Sequence, residues 1–301
     1  MGDQAASLRK LIEDKGSGQL QAQPQQMLTK YKLSRTARVI AITSGKGGVG
    51  KTNLVVNLAL ALAQEGKRSV IIDADLGMAN VDILFGSSSK YSLMDLLRDG
   101  VRLEDVMQTI PAGISYVPGG SGIEKAAELQ PQEQAKLLSK LAGCSEGADF
   151  IFVDTGAGLG KNVMDFVLVA DEVILVTTPE PTSITDAYAM MKAYSVYAEE
   201  RNMNLVVNRV YDESEGQEVI AKLQGTADRF LRLRVGSLGY IYEDRDLMRA
   251  VRSQRPLLDA YPQSLAAHCM KAIARNLLYG EQNSVPRGWK FFLRRFFDFS
   301  R

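Results

Sequence analysis

Ser44-Gly45-Lys46-Gly47-Gly48-Val49-Gly50-Lys51-Thr52 follows the apolar run Val39-Ile40-Ala41-Ile42, and this order of strand, glycine loop and helix start decides the fold. Glycines let successive backbone N–H groups converge on anionic oxygens at a helix N-terminus. Lys51 has the reach for the β- and γ-phosphates of a nucleotide, and Thr52 offers its hydroxyl to Mg²⁺. The stretch from Gly45 to Thr52 is therefore a phosphate-binding loop, with Gly45, Gly47, Gly48, Val49 and Gly50 supplying its backbone.

Outward from that loop, apolar β-rich runs alternate with helical patterns at Val39–Ile42, Ser69–Ile72, Ile114–Val117, Phe150–Val153, Glu172–Val176, Leu205–Val207 and Ser237–Ile241. Continuous apolar strands separated by helices predict a doubly wound α/β fold, its mainly parallel sheet covered on both faces. In such sheets ligands bind at the carboxyl ends of strands. Ile71-Ile72-Asp73-Ala74-Asp75-Leu76-Gly77 places two carboxylates at one strand end, two residues apart and so pointing the same way. Ile151-Phe152-Val153-Asp154-Thr155-Gly156-Ala157-Gly158 ends another strand in an aspartate and glycines, and Val206-Val207-Asn208-Arg209 ends a third. Asn208 is able both to donate to and accept from a base edge.

The pattern Lys46-Gly47-Gly48-Val49-Gly50-Lys51-Thr52 resembles the deviant phosphate loop of the MinD/ParA ATPases, whose first lysine reaches the nucleotide held by a partner subunit. That resemblance implies a P-loop NTPase sheet, ATP with Mg²⁺ as ligands, and a homodimer closed by ATP. It gives Lys46 a catalytic role in trans, like an arginine finger. It makes the segment from Asp73 through Asp82 switch I, with Asp75 orienting the attacking water and Asp73 holding the Mg²⁺ hydration shell. Asp154 in switch II contacts a Mg²⁺-bound water, and Asn208 with Arg209 receives the adenine. Thr177 to Ser183 also resembles the family's strand-to-helix junction, and helix capping is role enough for it.

Of the 301 residues, 46% are hydrophobic and 24% charged, enough for one sizeable core near the upper limit of a single α/β domain. Cys144 and Cys269 form no CxxC pair, so neither a disulfide framework nor an iron–sulfur or zinc site is expected. That also sets aside an electron-carrying relative such as the nitrogenase iron protein. No apolar run approaches the length of a transmembrane helix, and the polar start is not a signal peptide. A cytoplasmic location is expected. His268, in an apolar helical stretch, is expected to pack rather than ligate.

Charge is uneven. Residues 1–38 hold seven Lys/Arg against three Asp/Glu and 287–301 hold five against one, so a chain of net +1 leaves −7 in between. An acidic body disfavours a ParA-type DNA-partitioning factor, the alternative reading, and no nucleic-acid partner is expected.

The ends carry separate signals. Residues 3–14 form an amphipathic helical pattern with Ala5, Leu8, Leu11 and Ile12 on one side, and 16–38 turn to Gly, Ser, Gln and basic residues. Near the other end, Trp289, Phe292, Leu293, Phe296 and Phe297 fall along one helical arc opposite Lys290, Arg294 and Arg295. Bulky aromatics opposite basic residues describe a helix that lies in an anionic membrane interface or docks on its own domain. The expected organisation is an activator helix at 1–15, a flexible linker at 16–38, an ATPase domain at 39–280 and a membrane-targeting helix at 281–301. Asp3-Gln4-Ala5-Ala6-Ser7-Leu8-Arg9 resembles the motif that heads the FlhG family, also called FleN or YlxH, MinD-like ATPases controlling flagellar number and placement. This second resemblance implies that Gln4, Leu8 and Arg9 engage the signal-recognition-particle-type GTPase FlhF and stimulate it. It also implies flagellar rotor proteins as partners and an ATP-bound form peripheral to the inner face of the cell membrane.

Overall fold

The structure, a computed structural model, describes residues 36–75, 80–87, 89–110, 112–119, 130–198, 203–280 and 286–299. The expected helix at 3–14, with Gln4, Leu8 and Arg9, lies outside them. Thr36–Arg301 forms one compact unit, in which the ATPase core and the C-terminal helix are a single body.

Eight strands run β1 (Arg38–Ser44), β2 (Ser69–Ala74), β3 (Gln108–Ile110), β4 (Ile114–Val117), β5 (Phe150–Ala157), β6 (Glu172–Thr177), β7 (Met203–Val210) and β8 (Val235–Tyr242). Their spatial order is β3-β4-β2-β5-β1-β6-β7-β8. All neighbours are parallel except β3 against β4. Seven strands match the apolar runs of the sequence. The eighth, β3, has three residues, none of them fully buried, and offers no apolar run to read.

Alternate residues of the strands feed opposite faces. Ile40, Ile42, Ile71, Phe152, Ile174 and Val176 pack on one face with α1 (Lys51–Gln64), α2 (Asn80–Leu84), α8 (Arg245–Arg252), α9 (Leu257–Ala260) and α10 (Leu265–Tyr279). On the other face Val39, Ile72, Ile151 and Val153 pack with α4 (Pro131–Leu141), α5 (Lys161–Val169) and α11 (Trp289–Phe299). Ala41, Val173, Leu175 and Leu205 extend that face under α6 (Pro181–Tyr197) and α7 (Glu213–Leu231). A further one-turn helix, α3 (Leu103–Val106), precedes β3. Because β1 lies between β5 and β6, its carboxyl end opens at the centre of the sheet, with the aspartate-bearing strands β5 and β2 to one side and β7 to the other.

Candidate nucleotide site

The chain leaves β1 at Ser44, turns through Gly45–Gly50 and enters α1 at Lys51. Gly48 and Gly50 take φ of +75° and +99°, a region that side-chain-bearing residues rarely adopt. A Cβ at Gly50 would also strike the Asn208 amide, and one at Gly45 would strike the backbone of Asp186 in α6. Strand β7 and helix α6 thus close on the loop from two sides, and only glycine leaves room.

Lys51 is buried, and its Nζ donates to the Ser44 hydroxyl at 3.0 Å. Burial pushes the ammonium below its ordinary range, while Asp154 and Asp75 oppose that shift. Lys46 points elsewhere: its Nζ reaches Glu180 Oε2 at 2.8 Å and Thr182 Oγ1 at 3.1 Å at the head of α6. The pair is exposed, and the Lys46 ammonium holds Glu180 below the usual carboxylate range. The two lysines of one loop are therefore sorted into an inner charge beside the aspartates and an outer charge on the surface.

The register of β2 on β5 sets Asp73 directly beside Asp154. Asp73 accepts the Asp75 amide at 3.2 Å and the Val81 amide at 3.5 Å, so its carboxylate also shapes the turn that follows β2. Burial, then the charge of Asp154, pushes its carboxyl up to about 8. Asp154 is fully buried, and neither of its oxygens has a well-aligned hydrogen-bond partner. Burial raises it to about 7, with the Thr52 hydroxyl and the Lys51 charge pulling the other way. Asp75 is half-buried beside the carboxyl end of β5, where a Cβ on Gly156 would stand 3.7 Å from its Oδ1.

Two buried carboxylates, one of them orphaned, next to a helix-start hydroxyl make a donor set for a hard cation. Among the described residues no group of three or more His, Cys, Asp or Glu forms a metal cage. Mg²⁺ asks for less than a cage, since it keeps several waters and takes one or two protein oxygens together with phosphates. The residues present fit it.

On the β7 side, Asn208 Nδ2 donates to Val49 O at 2.7 Å and its Oδ1 accepts the Arg209 amide at 3.0 Å. Arg209, at φ +61°, sends Nη2 to Gly48 O at 2.9 Å. Both residues fasten carbonyls of the phosphate loop, at Val49 and at Gly48. Each Asn208 amide atom retains capacity for a second bond.

Glu180 and Thr182 extend the reading of their segment beyond helix capping, because Glu180 caps α6 without a side-chain bond and both side chains hold Lys46. His268 is exposed, its Nδ1 2.8 Å from Ser264 O, so it is neither ligand nor packing residue.

At the C-terminal helix, Trp289, Phe292, Leu293, Phe296 and Phe297 are all buried. They fill a groove made by Ile72, Leu93, Leu137, Leu141 and Phe166. Phe296 stacks on Phe166 with ring centroids 4.3 Å apart, and Trp289 Nε1 donates to Leu141 O at 2.6 Å. The root of the helix is held by Asp171, whose carboxylate accepts the amides of Val39 at 2.9 Å and Arg287 at 2.7 Å. Lys290 and Arg294 face outward.

A family model described as ParA, NUBPL iron-transfer P-loop NTPase, matches residues 35–278. The antiactivator FleN of Pseudomonas aeruginosa is 41% identical over 259 residues, spanning 86% of this chain and 92% of FleN. The flagellum site-determining protein YlxH of Helicobacter pylori is 34% identical over 263 residues, spanning 86% and 89%. Among solved structures, the septum site-determining protein MinD of Pyrococcus horikoshii, complexed with Mg-ADP, superposes with a TM-score of 0.63 at 28% identity, over 81% of this chain and 98% of that one. A lysine-bearing phosphate loop, a buried aspartate pair on adjacent strands and similarity over most of the length agree: this chain is an ATPase of the ParA/MinD P-loop family.

Proposed function

We propose that the chain is a FlhG-type regulator of flagellar number and placement, an ATPase that dimerises around ATP, cycles on and off the membrane and stimulates the GTPase FlhF through residues 1–15. The flagellar assignment is carried by the similarity to FleN and YlxH over 86% of the chain, the second named as a flagellum site-determining protein.

Lys51 and the loop amides hold the β- and γ-phosphates, and Asp75 orients the attacking water from its position beside Gly156. Thr52, Asp73 and Asp154 hold Mg²⁺ and its waters; bound there, the ion neutralises charge on the phosphate oxygens. Asn208 lends its remaining donor and acceptor to adenine, with Arg209 behind it. Lys46 leaves Glu180 and Thr182 to reach the phosphates of the second subunit, so the outer charge completes a site only in the dimer. Exposure of its ion pair supports this, because solvent screens such a pair and leaves little to hold the ammonium in place.

The apolar stripe of α11 serves one of two surfaces at a time. Docked, its five side chains are buried by the groove; released, they enter the membrane interface while Lys290 and Arg294 meet anionic headgroups. One such helix binds weakly, and pairing two in a dimer raises the avidity. Flagellar rotor proteins are the expected assembly partners of the dimer.

The experiment is GTP turnover by FlhF with and without the full chain. Stimulation that is lost in Gln4→Ala while binding persists supports the reading. Absence of any stimulation by the parent chain removes the FlhF branch.

A further inference from the structure

We infer that Tyr116, on β4 and outside the nucleotide site, is a positioning residue for hydrolysis, holding switch I in register for Asp75 through its hydroxyl. This rests on the ATPase reading and on the switch I role of the segment from Asp73 to Asp82.

Tyr116 is 1% exposed, with its hydroxyl turned toward the segment that follows β2. Tyr116 Oη lies 2.7 Å from Ser87 Oγ and 3.4 Å from Ser89 Oγ, and Ser89 Oγ donates to Asp82 Oδ1 at 3.0 Å. The tyrosine ring stacks on Phe85 with centroids 5.6 Å apart. Asp82 closes the end of switch I remote from Asp75, and Phe85, Ser87 and Ser89 follow it directly in the chain. At the near end, the Asp73 carboxylate accepts the amides of both Asp75 and Val81. The segment is therefore pinned twice, by Asp73 at its root and by the phenol at its far end, with α2 between the pins.

A buried tyrosine needs a partner for its hydroxyl. A core position asking only for bulk is equally served by Phe, which brings no hydroxyl to satisfy. The hydroxyl instead meets two serines just beyond switch I and, through one of them, Asp82 at its far end. Loosening the far pin lets α2 and its Val81 amide drift from Asp73, and with them the Asp75 backbone. Small misplacement of a reacting group costs rate rather than affinity, and the hydrogen bonds of the Tyr116 hydroxyl run to Ser87 and Ser89 rather than to the phosphate loop.

Tyr116→Phe keeps the ring and removes the pin. The test uses the full chain with Mg²⁺·ATP and measures kcat, KM, thermal midpoint and nucleotide affinity for Tyr116→Phe, Ser87→Ala, the double variant, and Ser115→Ala as a control on the same strand. The expected result is a fall in kcat of about 3- to 10-fold in Tyr116→Phe, with KM, nucleotide affinity and thermal midpoint held. The double variant is expected to be no slower than the worse single one, because both changes break one connection. Ser115→Ala is expected to match the parent. An unchanged kcat in Tyr116→Phe overturns the inference, and so does a parallel loss of kcat, affinity and thermal midpoint, which would make the hydroxyl a support of the fold. If no parent activity is found under any condition, the ATPase reading itself fails.

Discussion

Asp154→Asn in the nucleotide-free chain isolates the cost of keeping a carboxylate in the site before its cation arrives. Asp154 is fully buried, and burial moves its carboxyl from 3.8 to about 7. Each unit of displacement is worth about 1.4 kcal/mol, so holding the anion at pH 8 costs on the order of 4 kcal/mol, reduced toward roughly 2 kcal/mol as the surroundings relax. The folded value lies above the unfolded one, so the stability tied to this group is present in full below pH 3.8 and is lost as pH rises through about 7. Asp73, at about 8 through burial and then the charge of Asp154, adds to the loss and is eased when that charge is removed. The assay is thermal unfolding of parent and variant at pH 5 and pH 8, free of Mg²⁺ and nucleotide. The unfolded carboxyl is already ionised at pH 5, so about a third of that cost is present there, and the variant is expected to gain on the parent by about 3–8 °C more at pH 8 than at pH 5; any fixed effect of the new amide cancels in that difference. Adding Mg²⁺ and ATP should then stabilise the parent more than the variant. A difference between the two proteins that is the same at both pH values refutes the reasoning.

Asp75→Ala should lower turnover by about 10²–10⁴-fold while ATP binding and ATP-dependent dimerisation persist, as read by phosphate release and light scattering. Lys46→Ala should leave monomer nucleotide affinity within a few-fold and abolish the ATP-dependent dimer, whereas Lys51→Ala should lose affinity first; equilibrium binding and sedimentation separate the two. Lys290→Glu with Arg294→Glu reverses two charges on the outer face of α11 without touching its buried side. Flotation with anionic vesicles should fall by tenfold or more, at about 1 kcal/mol per basic residue, with the thermal midpoint unchanged.

The phosphate loop was legible because each of its residues is demanded locally, by backbone conformation or by the reach of a lysine. Asp73, Asp75 and Asp154 could be picked out because a strand end fixes where its last side chains stand, and β2 and β5 run in a register that pairs Asp73 with Asp154. What escaped are contacts between segments distant in sequence. Nothing in Glu180 or Thr182 marks them as holders of Lys46, since that pairing depends on β1 and β6 lying side by side. Ser44 beneath Lys51 and Tyr116 beneath switch I are ordinary strand residues until the sheet order is known. The amphipathy of α11 was plain, but a lipid interface and a protein groove ask for the same stripe, and only packing showed Phe166 and Leu141 receiving it. His268 was misread because its apolar neighbours Ala266, Ala267 and Met270 take the inward face of α10 and leave it outside.

We propose that ATP, by closing a dimer across Lys46, also decides whether the chain sits on a membrane. The most direct measurement is flotation of the full chain with anionic vesicles in parallel with its mass in solution, each with Mg²⁺·ATP and with Mg²⁺·ADP. A dimer that floats with vesicles in ATP and a monomer that stays in solution in ADP are expected, with Lys46→Ala behaving as the ADP form in both nucleotides. Equal flotation in ATP and ADP, or an ATP dimer that ignores vesicles, would contradict it.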